Sequence, residues 1–322
     1  MTKVLITGGA GFIGFHLAKL LAKTQEVTIC DNLFRGKDDS ELKQLLTLKN
    51  VSFLKCDLTE RRELEKLEKN YDYVYHLAAI NGAKYFYEIP DKVLRVNTLA
   101  VINILDWFIN SNCKKILFTS SSETYSGTMN KFGVKIPTPE TVPLCVEDVK
   151  NPRWSYAGSK IVGELFFINY ARIHGFDMSI VRYHNIYGPR MGHEHVIPEF
   201  CTRIHRKEDP FKIFGGKETR AFCYIDDAIR ATKLVMESKR TNGEIVHIGN
   251  DKEEITIMDL VKRMFKIAGF HPKLDIKAAP PGSVKRRCPN IDKLKKLTGF
   301  ESKIDLDIGL KRTFEWYKNE NT

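Results

Sequence analysis

The sequence predicts an α/β protein, a doubly wound parallel sheet with a smaller C-terminal domain. Three observations carry this. Short β-branched runs alternate with longer amphipathic stretches from residue 3 to about 250. The first run leads directly into a glycine-rich turn, Gly8-Gly9-Ala10-Gly11-Phe12-Ile13-Gly14. After Arg182 the alternation loosens at Pro189, Pro198, Pro210 and Gly215-Gly216. Strands separated by helices imply right-handed crossovers and helices on both faces of one sheet.

In order, strands are expected at 3–7, 27–31, 51–55, 73–76, 115–119, 178–183 and 245–248. Helices are expected at 13–23, 61–68, 93–110 and 160–174. A strand and helix near 219–237 should return to the main sheet. Beyond 250 come a helix at 257–268, a Pro280-Pro281-Gly282 loop and a terminal helix near 309–318. The sheet domain therefore comprises 1–182 with about 219–250. The smaller domain comprises 183–218 with about 251–322.

Composition narrows the functional classes. Of 322 residues 43% are apolar and 28% charged, as in a globular protein. No apolar run approaches the ~20 residues of a membrane helix, and the N-terminus lacks signal-peptide features. A cytoplasmic protein without a membrane partner is expected. The seven cysteines are never closer than 22 residues, matching neither a disulfide framework nor zinc ligands. His193 and His195 lack further ligands at metal spacing, so no metal is expected; this segment reads instead as a substrate loop. The net charge of +11, densest at Arg203–Lys207 and Lys285–Arg287, carries no nucleic-acid motif. It points to a small phosphate-bearing substrate rather than to nucleic acid.

The glycine turn has a specific use. Its backbone can approach a pyrophosphate closely, and the helix behind it offers free N–H groups and a partial positive charge. The spacing is Gly-x-x-Gly-x-x-Gly: Gly8, Gly11 and Gly14. The second strand ends at Asp31, 17 residues after Gly14. A carboxylate there accepts hydrogen bonds from the adenosine ribose and repels a 2′-phosphate, favouring NAD over NADP, although Arg35 lies nearby. Asp57-Leu58, after the third strand, suits either an adenine amine or a helix cap.

Tyr156 and Lys160 stand four residues apart, on one face of a helix. A tyrosine titrates near 10, and lowering it by about three units takes roughly 4 kcal/mol of differential interaction. A lysine ammonium and a positive nicotinamide ring can supply that, making Tyr156 a base while hydride leaves. The pair also occurs by chance on exposed helices. The fifth strand ends in Thr119-Ser120-Ser121-Ser122-Glu123-Thr124-Tyr125, placing hydroxyls where such a sheet binds ligands. Glycine turn, acidic strand end, serine cluster and Tyr–Lys pair, in this order, disfavour a plain polar turn.

With these residues in place, the chain resembles the extended short-chain dehydrogenase/reductase family, in its nucleotide-sugar epimerase/dehydratase branch. The resemblance includes Gly8–Gly14, Asp31, Asp57-Leu58, His76-Leu77-Ala78-Ala79, Asn97, the serine cluster, Tyr156/Lys160, Arg182–Pro189 and Thr219-Arg220. It implies a Rossmann domain binding NAD, with a domain for a nucleoside-diphosphate sugar. It implies that Tyr156 is the base, that Lys160 orients it and holds the nicotinamide ribose, and that Ser121 is the assisting hydroxyl. Phe12, Ile13, Asn32, Leu77, Ala78, Ala79, Asn97 and Tyr183 would join the cofactor site. Lys84, Tyr87, Ser122 and Asn185 would border the substrate, with Arg220 and Arg286 on its diphosphate.

The implied reaction oxidises a ring carbon, usually C4, and then diverges. A 4,6-dehydratase commonly carries Asp-Glu after the catalytic hydroxyl. Here Ser122-Glu123 stands there, which disfavours ordinary dehydration. A hydroxyl followed by Ser-Glu resembles UDP-glucuronate decarboxylases and some atypical dehydratases, and simple C4 oxidation is a further outcome. Epimerase ranks first, narrowly. A non-catalytic NAD-binding protein is the alternative of another class. Surplus apolar residues on the helices at 93–110 and 160–174 (Val101, Ile104, Leu105, Phe108; Ile161, Leu165, Phe166, Ile168) suggest a homodimer through a four-helix contact.

Overall fold

The computed structural model describes residues 1–279 and 283–320, so the expected Pro280–Gly282 loop lies outside the described residues. Seven strands form the central sheet: β1 (Lys3–Thr7), β2 (Glu26–Asp31), β3 (Val51–Lys55), β4 (Tyr73–His76), β5 (Lys115–Ser121), β6 (Asp177–Tyr183) and β7 (Ile245–Ile248). Their order is β7-β6-β5-β4-β1-β2-β3, all parallel. The order reverses between β1 and β4, so the carboxyl ends of the strands part there and open a crevice.

Alternation along β1 shows why these residues make a strand. Val4 and Ile6 enter one buried cluster with the Phe12–Leu21 and Ile225–Glu237 helices. Leu5 enters the other, with the Pro90–Ile109 and Trp154–His174 helices. Both faces are covered, so the strand is apolar throughout rather than alternating with polar residues.

Strand expectations hold within two residues, and the Ile257–Ala268 helix appears as expected. Its start is set by Thr256, whose hydroxyl accepts the Asp259 N–H at 3.0 Å, and Gly269 ends it in the left-handed region. Other elements differ. The helix at 61 is a single turn, Arg61–Leu64. The Trp154–His174 helix begins six residues before Lys160.

Thr219–Ala221 does not return to the central sheet. It pairs with Glu254–Thr256 and Arg286–Arg287 in a separate three-stranded sheet. The Ile225–Glu237 helix that follows, with Phe222–Tyr224 before it, packs against the main core. Two further small sheets join Ile186–Tyr187 to Cys223–Tyr224 and Phe211–Phe214 to Leu274–Lys277.

All seven cysteines are free thiols. Among the described residues, no helix is long and apolar enough to cross a membrane. No cluster of three or more His, Cys, Asp or Glu side chains there could hold a metal ion.

Candidate active site

A cavity of about 660 Å³ opens along the carboxyl ends of β1, β2, β4, β5 and β6. At one end lies the glycine turn. Gly8 has φ of +70° and touches Ala78 so closely that a Cβ would lie 2.8 Å from its backbone. A Cβ on Gly14 would lie 2.2 Å from the Gly8 carbonyl oxygen. The helix starting at Phe12 has Gly11 at its N-cap and no side chain capping it. These observations describe a backbone cradle with an uncapped helix terminus, which fits a pyrophosphate.

Asp31 is buried and lines the cavity. Its carboxylate accepts the Ala10 N–H at 3.0 Å and the Leu33 N–H at 2.8 Å, so it ties the glycine turn to β2. Burial raises its pKa despite those two bonds. Each oxygen keeps a lone pair for a ribose hydroxyl. Asp57 also faces the cavity; it accepts hydrogen bonds from Thr59 and from the Asn32 amide at 3.0 Å. Burial opposes ionisation there, but these bonds outweigh it and hold the carboxyl below its ordinary value. Asp57 thus organises a turn and caps no helix, since the next helix begins at Arg61 with Glu60 at its N-cap. Arg35 is committed elsewhere: it pairs with Glu194 at 2.9 Å and lies over the Tyr85 ring.

The reactive groups sit mid-cavity. Tyr156 and Lys160 share one face of the Trp154–His174 helix, and both are buried. Tyr156 lies within hydrogen-bonding reach of the Ser121 hydroxyl and stacks on Phe86, ring centres 5.1 Å apart. Lys160 donates to the Thr119 carbonyl at 2.7 Å, its Nζ 5.7 Å from the Tyr156 ring centre. Burial pushes the Tyr156 phenol up, offset in part by Ser121. It also brings Lys160 down to about 7, against the pull of Glu164. The expected lowering draws on Lys160 together with a nicotinamide ring, and in the protein alone burial prevails at the phenol. The positive charge of a bound nicotinamide ring would have to supply the rest.

Beyond Ser121 is a charged cluster. Arg287 donates to the Glu123 carboxylate at 2.7 Å and to the Ser126 hydroxyl at 2.8 Å, and Arg153 donates to Glu123 at 3.2 Å. Burial opposes the Glu123 charge, but the two guanidiniums bring its pKa down to about 2. The Nε–H groups of Arg153 and Arg287 are both buried without a partner among the described residues.

Of the residues expected from sequence, Gly8, Gly11, Phe12, Ile13, Gly14 and Asn32 line the cavity's glycine end. Leu58, Leu77, Ala78, Ala79, Ser122, Tyr183 and Asn185 also border it. So does Met191–His195, the segment read as a substrate loop.

Five expected residues do not line it. Asn97 spends its amide on the Ile80 backbone and the Ser159 hydroxyl, stapling the loop after β4 to two helices. Lys84 and Tyr87 lie on the outward face of the helix Ala83–Glu88, which turns Ala83 and Phe86 to the cavity instead. Arg286 faces outward to Glu254 at 2.7 Å, and its strand neighbour Arg287 faces inward, because successive side chains on a strand alternate. Arg220 pairs in register with Arg287 and sits behind it; burial, with Arg287 nearby, lowers it to about 10.

Arg287, Arg153 and Phe86 were missed. The basic run 285–287 was the only available signal for Arg287, and nothing in the sequence marked the other two.

Similarity to known proteins agrees with this geometry. The model of the NAD dependent epimerase/dehydratase family matches residues 4–249. The chain is 34% identical to a UDP-N-acetyl-alpha-D-glucosaminuronate decarboxylase of Bacillus cytotoxicus, covering 98% of each. It is 32% identical to a UDP-glucuronate 4-epimerase of Thermodesulfobacterium geofontis, over 98% of this chain and 95% of that one. The crystal structure of a Bacillus cereus UDP-glucuronic acid 4-epimerase with UDP-glucuronic acid and NAD superposes with a TM-score of 0.85. The identity there is 27%, over 99% of this chain and all of that one.

Proposed function

The chain belongs to the NAD-dependent epimerase/dehydratase family, and from that premise we propose that it oxidises C4 of a UDP-linked uronic acid and then releases the C6 carboxylate as CO2. It is an enzyme of nucleotide sugars that uses NAD.

In this reading the Gly8–Gly14 turn holds the pyrophosphate and Asp31 the adenosine ribose. Asp57 and Leu58 flank the adenine, with Leu77–Ala79 and Tyr183 walling the nicotinamide end. NAD held there would supply the acceptor, and later the donor, of the C4 hydride. Tyr156, beside Ser121, removes the C4 hydroxyl proton, and Lys160 holds the phenolate in place. Asn185 contacts the sugar. Oxidation makes the C6 carboxylate β to a ketone. The C5–C6 bond then breaks, its electrons pass toward the C4 carbonyl, CO2 departs, and C5 takes up a proton.

The observation that carries the uronate reading is the Arg153–Glu123–Arg287 cluster. Arg287 lines the cavity, and its Nε–H, without a partner among the described residues, suits a carboxylate, the group that guanidiniums recognise best. Glu123 stays ionised beside it, and loss of CO2 relieves the resulting repulsion, an effect that favours the transition state over the ground state. The two guanidiniums depress the Glu123 pKa and make it a poor acid, and Ser122 stands where a dehydratase commonly carries Asp, which weighs against dehydration. These points move decarboxylation ahead of the epimerisation favoured from sequence. Epimerisation at C4 of the same uronate is the second reading, supported by the likeness to UDP-glucuronate 4-epimerases.

Mass spectrometry and proton NMR of reactions with NAD and UDP-glucuronate, UDP-N-acetylglucosaminuronate or neutral UDP-sugars test this. Loss of CO2 from a uronate is expected, and an unchanged mass with a new sugar spectrum identifies an epimerase. Turnover confined to neutral sugars overturns the uronate reading.

The proposal includes a homodimer through the Pro90–Ile109 and Trp154–His174 helices. Val101, Ile104, Leu105 and Phe108 are buried within the chain and are not the contact. Support comes instead from exposed Leu94 and Leu165.

A further inference from the structure

Three residues at successive turns of the Trp154–His174 helix meet the end of β5. Tyr156 reaches the Ser121 hydroxyl, Lys160 the Thr119 carbonyl, and Glu164 the Ser120 hydroxyl at 2.5 Å. Glu164 is 2% exposed and is also gripped from β6, where Arg182 donates to its two oxygens at 2.8 and 2.7 Å. Ser120 and Arg182 are partners in the parallel register, so one carboxylate clamps two adjacent strands. The fork geometry of Arg182 fixes that carboxylate in direction as well as distance. Arg182 is held in turn by the Glu140 carbonyl at 2.9 Å.

We infer that Glu164 is a positioning residue: it sets the helix along β5 so that Tyr156 meets Ser121, and it places a carboxylate one helical turn from Lys160. This rests on the roles given above to Tyr156 and Lys160. A buried ion pair contributes little net stability compared with apolar packing, which leaves orientation and local charge as its uses here. Lys160 has few other charges around it. The Phe118 ring lies 4.8 Å from Nζ, and the Thr119 carbonyl accepts its hydrogen bond. His76 on β4 is neutral, its pKa near 3 through burial and the Lys160 charge. Tyr156 is protonated in the protein alone. Arg182 is bound to Glu164 from β6, and Glu164 is the anion that counters burial.

The test measures Lys160 directly, by 15Nζ NMR of lysine-labelled, NAD-loaded protein, with Lys160→Met to assign the signal. Glu164→Gln should lower the Lys160 midpoint by roughly one unit, and with UDP-glucuronate the alkaline limb of kcat should move down with it. Turnover should fall about tenfold with KM little changed, as for a misplaced proton acceptor. Glu164→Asp should recover part of both. The double variant Glu164→Gln/Arg182→Met leaves no unpaired charge and serves where the single variant fails to fold. It too should lower kcat, since the clamp is gone. An unchanged Lys160 midpoint in folded Glu164→Gln, or wild-type kcat in the double variant, would overturn the inference. Tyr156→Phe separates the two levels: if it retains turnover, the assignment of the base fails. If it is inactive while the Glu164 variants behave as wild type, only the positioning role fails.

Discussion

Arg287 and Glu123 are 164 residues apart in the chain and 2.7 Å apart in space. That contact joins the strand Arg286–Arg287 to the end of β5, at the point where the sugar ring would meet Ser121. Replacing Arg287 with Met removes one guanidinium and leaves Arg153 as the remaining cation on Glu123. For a uronate substrate kcat/KM should fall roughly 30–100-fold, the size of one charge-assisted hydrogen bond in a desolvated site. Equal losses on acidic and neutral sugars would count against carboxylate recognition.

The same pair sets an acid limit. Glu123 has a folded pKa near 2, depressed below its ordinary 4.5. Its contribution to stability is therefore complete above about pH 4.5 and lost as pH falls toward 2. Thermal melts of wild type and Arg287→Met should converge across that window and stay separate at pH 7. A constant gap at all pH values would show that Glu123 is not the group responsible.

Much of this site was legible in the sequence because its parts are local. The Gly8–Gly14 turn, the Asp31 strand end and the Tyr156–Lys160 spacing each depend on a few consecutive residues. The parallel strands are apolar on both faces, which made β1 to β7 readable within two residues. What was not legible depended on facing. Arg286 and Arg287 differ only in which side of a three-stranded sheet they point to. Lys84 and Tyr87 fall outward because residues 83–88 coil into a helix rather than a loop. The Arg153–Glu123–Arg287 cluster draws on three segments whose proximity no short pattern encodes.

Tyr156→Phe should reduce kcat by about two to four orders of magnitude, as expected for loss of a general base. NAD binding should survive, since the glycine turn, Asp31 and Asp57 are untouched. Kinetics together with the NAD content of the purified variant check both halves. Full activity would remove Tyr156 from the chemistry.

Gly14→Ala tests the cradle. The added methyl would lie 2.2 Å from the Gly8 carbonyl oxygen and 2.7 Å from the Gly9 Cα, both backbone atoms that cannot swing aside. The turn must open, costing roughly 1–3 kcal/mol of stability as for overpacking elsewhere. NAD affinity should fall more than that of a uridine nucleotide, measured by calorimetry.

Leu165 is 57% exposed on the helix that carries Tyr156. Light scattering at micromolar concentration should give twice the mass of one 37.0 kDa chain. Leu165→Arg should shift that mass toward a single chain. A monomeric wild type would remove the proposed helix contact.

Lys160 makes a prediction of the same sign as Glu123, in a higher pH window. Burial brings its pKa from 10.5 down to about 7, so between those values the unfolded chain binds more protons than the folded one. Stability must therefore rise with pH across that window. Lys160→Met abolishes this dependence. Lys115, brought down to about 8 by burial, is present in both proteins and cancels in the comparison. Chemical denaturation from pH 7 to 10 should show wild type gaining on the variant as pH increases. Parallel curves would mean that Lys160 is as readily charged in the folded protein as in the unfolded chain, and the picture of a strongly desolvated lysine beside Tyr156 would fall.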